Sequence, residues 1–428
     1  MADASTDIMF ISIMRVIEPR QFKHLKPIKR KRSYKGLVLI SLLALIFGVG
    51  YIRYNRALPD YEFQVIQELK PGPKAQFTWP EGEQASIGIV GKGVVASNNS
   101  DKPVPTASTI KILTALMVLN KKPLKVGEDG PNILITELDQ QIYDNVYVNN
   151  GSRVLVEPGT SLTQKQALQA LLLPSANNIA ETLTNWAFGS EQEYVKYTKE
   201  FLADNNLTKT TVVDASGFSP DTKSTAYEMT YITDLALKNP VITEIIAQKQ
   251  AEIPISGVIN NTNWLLGKRG IDGVKTGHTD QSGGCFIVSA NVTLPNNKTV
   301  KVFGTILGAS DVDKAMLDIQ PLVLEQVLNG YRDNQVITKG QKLGVIKSAW
   351  GEQTLVLANS DLFIYGWQES KPTITFDIQE DYQQINKDNT ILGNAVVKLD
   401  GASSKVYVGQ DKVIKPPSFW WKFKRIFQ

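Results

Sequence analysis

The sequence predicts a mixed α/β domain followed by a small all-β domain, both behind an N-terminal transmembrane helix. Three observations carry this. An unbroken apolar run from Gly36 to Ile52 follows a cluster of cations. Between about residues 80 and 330, strand-like alternation is interleaved with helix-like apolar runs. From Gln335 onward, short strand-like stretches succeed one another without convincing helices between them.

The apolar run comes first. Lys29, Arg30, Lys31, Arg32 and Lys35 precede it, and Tyr51 and Arg53 suit its far interface. As a helix rising about 1.5 Å per residue, it spans about 26 Å, near the short end for a bilayer core. A long basic tail and the lack of a small-x-small exit favour an uncleaved anchor over a cleaved signal peptide. Residues 1–35 are then a cytoplasmic tail, 36–53 a single-pass anchor of the cell membrane, and 54–76 a proline-bearing linker. The bulk of the chain lies on the extracytoplasmic side. Residues 1–56 hold eleven Lys/Arg against three Asp/Glu, a net of +8, which leaves −4 on the rest of a chain of formal charge +4. A mildly acidic folded part argues against a nucleic-acid partner.

At 428 residues, two folded units plus tails are expected: an α/β domain over 77–332 and a β domain over 333–415. Within the first, Gln84–Val90 and Gly93–Ala96 read as a hairpin, and Ser108–Leu119 as a helix. Ile133–Thr136 and Arg153–Val156 read as short strands flanking a polar excursion. Thr163-Gln164-Lys165-Gln166 is a capping box opening a helix that Pro174 stops, and Thr225 to Glu228 is a second box. Gly270–Thr279, on a strand carrying Lys275, leads into Gly283–Ala290; after them Val300–Leu307 reads as a partner strand, and a helix from about Val312 to Leu328 bent at Pro321 closes the domain. The β domain holds no concentration of reactive residues and reads as a spacer or support. In the last segment, 416–428, a helix would place Phe419, Trp420, Phe423 and Phe427 on one side, suited to lying on a membrane or to docking on the protein's own surface, the membrane being favoured.

The reactive residues are few. Cys285 is the only cysteine, so no internal disulfide can form. The two histidines, His24 and His278, make a zinc site or a Ser-His-Asp triad hard to build, and no metal or cofactor is expected. A serine nucleophile here needs another base, and lysine remains. Ser108 and Lys111 stand three residues apart on one helical face, so Lys111 Nζ can reach Ser108 Oγ. That lysine is a base only if burial or another cation lowers its pKa. Ser175 and Asn177 share the turn after Pro174, where they can face one cleft. Lys275 and Thr276 lie on a strand, and Gly277 lets a substrate backbone approach.

Each pattern alone is common; the three in order are not. Ser-x-x-Lys, then Ser-x-Asn, then Lys-Thr-Gly is the signature of penicillin-binding proteins and serine β-lactamases. Over about residues 80–330 the chain resembles the D-alanyl-D-alanine carboxypeptidases, the low-molecular-mass penicillin-binding proteins. Asn261–Leu266 leading into Gly273–Thr279, Asp214–Gly217 and Ser224–Ala226 extend the likeness.

The resemblance implies a transpeptidase-like α/β fold and a two-step acyl transfer on peptidoglycan stem peptides, inhibited by β-lactams. Ser108 would be the nucleophile, Lys111 its base, and Ser175 the group passing a proton to the departing D-alanine. Asn177 would hold the substrate amide and steady Lys111. Lys275 and Thr276 would take the terminal carboxylate, and the backbone N–H groups of Ser108 and His278 the oxyanion. Two residues depart from the pattern. Only Lys314 stands near the place of the family's carboxylate-binding arginine, and Asn178 stands where an acid is frequent.

A class A β-lactamase needs a glutamate base after the second motif, and no Glu-x-x-Leu-Asn occurs there. The rivals are a D,D-endopeptidase acting on cross-links, which shares all three motifs, and a non-catalytic, membrane-held cell-wall binding module. Two lysines in the motif set argue against the latter.

Overall fold

The computed structural model describes residues 34–378 and 391–428. The basic tail read over 1–35 therefore lies outside the described residues except for Tyr34 and Lys35. The chain forms two units. One joins the N-terminal part up to Glu62 with Lys347–Gln353 and Ile414–Gln428; the other holds Phe63–Ile346 and Thr354–Val413.

In the first unit, Lys35–Tyr54 is a strongly apolar helix of 20 residues, none of them buried. Its polar end receives the C-terminal helix Phe419–Lys424, whose first turn is capped by Ser418. Arg53 donates to the Ile426 carbonyl at 2.9 Å, and Arg425 donates to the carbonyls of Arg56 and Ala57. Trp421 turns the other way and packs edge-on against Trp350. Phe419, Trp420, Phe423 and Phe427 remain exposed, so the expected aromatic side exists as a surface.

The second unit is built on a five-stranded antiparallel sheet ordered Ile271–Thr279, Gly283–Thr293, Thr299–Ala309, Gln84–Ile89, Gly93–Asn98. Strand alternation sends Cys285 and Ile287 into a helical core on one face, and Phe286, Val288 and Ala290 into a second core on the other. The helix Lys111–Lys121 runs through the first core, with every residue from Lys111 to Leu119 buried. A helix apolar nearly all round has to be central, and its burial is what holds the site at its head. The helix Val312–Gln320 covers the other face. At Pro321 the α-helix gives way to a π turn and then a 3-10 turn, because proline cannot supply the next N–H.

Three expectations fail here for identifiable reasons. Arg153–Val156 is not a strand: the backbone N–H and C=O of Val154 are taken by the Asn178 side chain. Ser161–Thr163 pairs with Asn132–Leu134 instead, and the polar excursion between them is a helix, Glu137–Val148, opened by a Thr136/Asp139 capping box. The Thr225 box is half formed, since the Glu228 carboxylate turns to Lys209 N and Thr210 Oγ1. Nor is 54–76 all linker. Glu62–Val65 is the edge strand of a six-stranded sheet in the β region, where Phe63 meets Phe376 edge-on at 4.8 Å.

Candidate active site

Two backbone irregularities present the two motif serines. Ala107 has φ +45° and Ser175 φ +69°, conformations that cost a side-chain-bearing residue free energy and persist only where surrounding packing imposes them. Ala107–Ile110 forms a 3-10 turn, and the α-helix proper starts at Lys111. Gly217, itself at φ +73°, lies so close that a Cβ there would sit 2.0 Å from the Ala107 carbonyl oxygen. Gly277 does the same from the sheet: a Cβ would come within 2.9 Å of Ser108 N and 3.0 Å of Thr109 N. Glycine is required at both because the Ser108 turn is clamped between two backbones.

Lys111 is fully buried, and its Nζ makes three contacts. It lies 2.7 Å from Ser108 Oγ, 2.6 Å from Asn177 Oδ1 and 2.9 Å from the Ser216 carbonyl oxygen. Burial drives its pKa well below the ordinary lysine value, and the nearby Lys275 pushes in the same direction; Asp214 opposes them. Lys275 is 1% exposed, donates to the Thr276 carbonyl at 3.0 Å, and is brought to a pKa of about 7 by burial. It therefore lies on the sheet's edge strand without being solvated. Thr276 Oγ1 shares a 2.6 Å hydrogen bond with Thr262 Oγ1, which fixes the hydroxyl's position.

Ser175 Oγ is buried with no hydrogen-bond partner among the described residues. Asn177 opens the helix Asn177–Phe188, and its N–H bonds the Ser152 carbonyl. The structure thus brings Ser108, Lys111 and Asn177 into direct contact and sets Gly277 against the Ser108 turn. His278 is exposed, and its backbone is the next step along that strand. The Ser216 carbonyl is the partner that motif reading missed. It is aimed by an Asp214-centred turn, in which Ser216 Oγ and Phe218 N both donate to Asp214 Oδ2 at 2.8 Å.

The family model for D-alanyl-D-alanine carboxypeptidases matches residues 89–310, just over half of the chain. The chain belongs to that family. The D-alanyl-D-alanine carboxypeptidase DacF of Bacillus subtilis is 22% identical over 272 residues, 61% of this chain and 66% of that protein. The D-alanyl-D-alanine carboxypeptidase DacB2 of Mycobacterium tuberculosis is 30% identical over 203 residues, 46% of this chain and 66% of that protein. Each alignment thus takes in slightly under two thirds of the relative's own length. The structure of penicillin binding protein 5 from Haemophilus influenzae matches 80% of this chain and 100% of its own, with TM-score 0.54 and 17% identity. That likeness shows a shared penicillin-binding-protein fold.

The chain's departures from this carboxypeptidase family have structural content. Lys314 does not stand in for an arginine: its ammonium is held by Glu83 at 2.6 Å and by Asp318. Asn178 is 1% exposed and uses both halves of its amide, donating from Nδ2 to the Val154 carbonyl at 3.0 Å and accepting from Val154 N at 3.2 Å. An aspartate can only accept when ionised. Asn178→Asp is therefore expected to set a carboxylate oxygen against the Val154 carbonyl and cost about 2 kcal/mol or more, read as a lowered midpoint in a denaturant titration. An unchanged midpoint would mean the clasp contributes nothing. Cys285 is buried and its thiol pushed up to about 11, so it is an unreactive core residue.

Proposed function

We propose that the protein is a membrane-held serine D-alanyl-D-alanine carboxypeptidase that removes the terminal D-alanine of peptidoglycan stem pentapeptides and is acylated by penicillin. The observation that carries this is the buried Lys111 side-chain nitrogen, its pKa lowered by burial, 2.7 Å from the Ser108 hydroxyl. Neutral Lys111 takes the Ser108 proton as Oγ attacks the carbonyl carbon of the penultimate D-alanine. The oxyanion forms against the N–H groups of Ser108 and His278, each donor contributing about 3 kcal/mol. The C–N bond then breaks, and the departing amine receives a proton through Ser175, whose hydroxyl has no other partner among the described residues. Water attacks the resulting ester, releasing the shortened peptide and restoring Ser108. Asn177 steadies Lys111 and holds the substrate amide. Lys275 and Thr276 take the terminal carboxylate, because Lys314 is already paired.

The apolar helix Lys35–Tyr54 and the exposed Phe419/Trp420/Phe427 side support a single-pass anchor with an interfacial C-terminal segment, the enzyme facing the extracytoplasmic side. Purified full-length protein in detergent is expected to release D-alanine from a pentapeptide and to be labelled by fluorescent penicillin. The label should disappear in Ser108→Ala. Cleavage of a cross-linked dimer without D-alanine release would identify an endopeptidase instead, and the absence of both activities and of label a binding module.

A further inference from the structure

The run Asn261-Thr262-Asn263 follows the strand Gly257–Asn260 and precedes the strand Ile271–Thr279, and both of its asparagines commit their side chains to backbone. Asn261 donates from Nδ2 to the carbonyls of Ile246 at 3.3 Å and Gln248 at 3.0 Å, and its Oδ1 accepts from Asn263 N at 2.9 Å. Asn263 is 3% exposed; its Nδ2 donates to the Gly273 carbonyl at 3.1 Å and its Oδ1 accepts from Leu265 N at 3.1 Å. Two successive asparagine turns of this kind fix the backbone between them. Thr262 N in turn donates to the Leu173 carbonyl at 3.2 Å, just ahead of Pro174 and Ser175. Thr262 is therefore pegged on both sides and tied to the turn that presents Ser175.

What this scaffold holds in place is a hydroxyl. Thr262 Oγ1 lies 2.6 Å from Thr276 Oγ1, while the Leu173 carbonyl oxygen is 3.4 Å away. Thr276 is buried and precedes Gly277, which abuts the Ser108 turn, whereas Thr262 is exposed. The two hydroxyls thus form one polar edge near the nucleophile, open from the Thr262 side. Each has a single proton to give, so within the pair one proton is used and the other is uncommitted. An ionised carboxylate only accepts, and its two oxygens are spaced much as these two hydroxyls are. Rotation about the two Cβ–Oγ bonds turns both protons toward such a ligand, with no heavier atom moving. Lys314, held by Glu83 and Asp318, supplies no two-pronged contact, and Lys275 supplies one charge from a side chain that donates to the Thr276 carbonyl.

We propose that Thr262 is a second substrate-contacting hydroxyl of the carboxylate site, with Thr262 and Thr276 each donating to one oxygen of the terminal carboxylate. The inference rests on the carboxypeptidase reading and deepens it: the preference for a free C-terminal carboxylate is set by two hydroxyls, one on the strand Ile271–Thr279 and one on the loop before it. Because Thr262 N is bonded to Leu173, the grip on the carboxylate is held in register with Ser175, the group that passes a proton to the departing D-alanine.

The test measures release of the terminal residue by the full-length enzyme from diacetyl-L-Lys-D-Ala-D-Ala and from the C-terminal amide of the same peptide. Thr262→Val keeps the shape and removes the hydroxyl. It is expected to raise KM for the acid about tenfold, the scale of one hydrogen bond to a charged group, with kcat changed far less. The acid-to-amide ratio of kcat/KM should fall by a similar factor, and Thr262→Ser should regain most of both. The ratio is internal to each variant, so partial loss of folded enzyme cancels; with amide turnover below detection, the KM-against-kcat split and the serine rescue decide. A loss carried by kcat alone, a loss equal for acid and amide, or no loss overturns the contact and leaves the carboxypeptidase reading standing. No release of D-alanine from the acid by the wild type overturns the carboxypeptidase reading, and the contact with it.

Discussion

Replacing Lys111 with methionine is expected to slow acylation of Ser108 by fluorescent penicillin about a thousandfold while the protein still folds. The rate loss follows from the loss of a positioned base, which contributes about 10² to 10⁴ in comparable enzymes. Among the described residues no other side-chain base contacts Ser108 Oγ. The other two Lys111 contacts are acceptors, Asn177 Oδ1 and the Ser216 carbonyl, and neither takes up a proton near neutral pH. Folding should survive because methionine fills the same volume in a site that is fully buried, and because a buried amine is costly when charged. The cost is two acceptors left without a donor, about 1–3 kcal/mol each at most. Stopped-flow labelling combined with a thermal melt checks both halves. A variant that melts like the wild type and labels within tenfold of it would remove Lys111 from the chemistry.

The sequence made this site legible where its geometry is local. Ser108 and Lys111 meet because three residues is nearly one helical turn, and Thr163 announces its helix because a capping box is a four-residue object. Period-two alternation likewise marked Gln84–Val90 and Gly93–Ala96 as a hairpin, and the two strands pair antiparallel. Legibility ended where a backbone atom from a distant segment did the work. The Ser216 carbonyl, 105 residues from Lys111, has no side-chain signature. The same holds for Val154, whose peptide group is claimed by Asn178 and so never joins a sheet. Lys314 misled in the opposite sense. Its place in the chain suggested an anion site, yet Glu83, 231 residues away, already occupies it. The edge strand Glu62–Val65 was hidden by flanking prolines that gave its neighbourhood the composition of a linker.

Asp214 acts on Lys111 indirectly, through a turn that points the Ser216 carbonyl at it, and its own charge works against the lowered pKa.

Lys275 carries the second large expected effect, on stability and on its pH dependence. Its folded pKa of about 7 lies below the ordinary value of 10.5, and burial is the cause. Below pH 7 the folded and unfolded chains both hold the proton, so the penalty of burying that charge is fully present. Between pH 7 and 10.5 only the unfolded chain holds it. There the unfolded state binds more protons, and stability rises with pH. Above 10.5 both forms are neutral and the penalty is gone. At 1.36 kcal/mol per pK unit, the penalty is on the order of 5 kcal/mol. Lys275→Met is therefore expected to be markedly more stable than the wild type at pH 6–7, with the gap closing by about pH 10. Urea titrations of both proteins at the two pH values read this directly, and a gap that stays constant with pH would show that the ammonium is solvated. The same substitution removes a cation that helps lower the Lys111 pKa, though burial remains the larger cause. Lys111 should then hold its proton to higher pH, and the acidic limb of the penicillin-acylation profile should move toward alkaline pH. Stability and chemistry are opposed through one side chain: the burial that makes Lys275 costly to fold also keeps its charge, when protonated, close enough to help lower the Lys111 pKa.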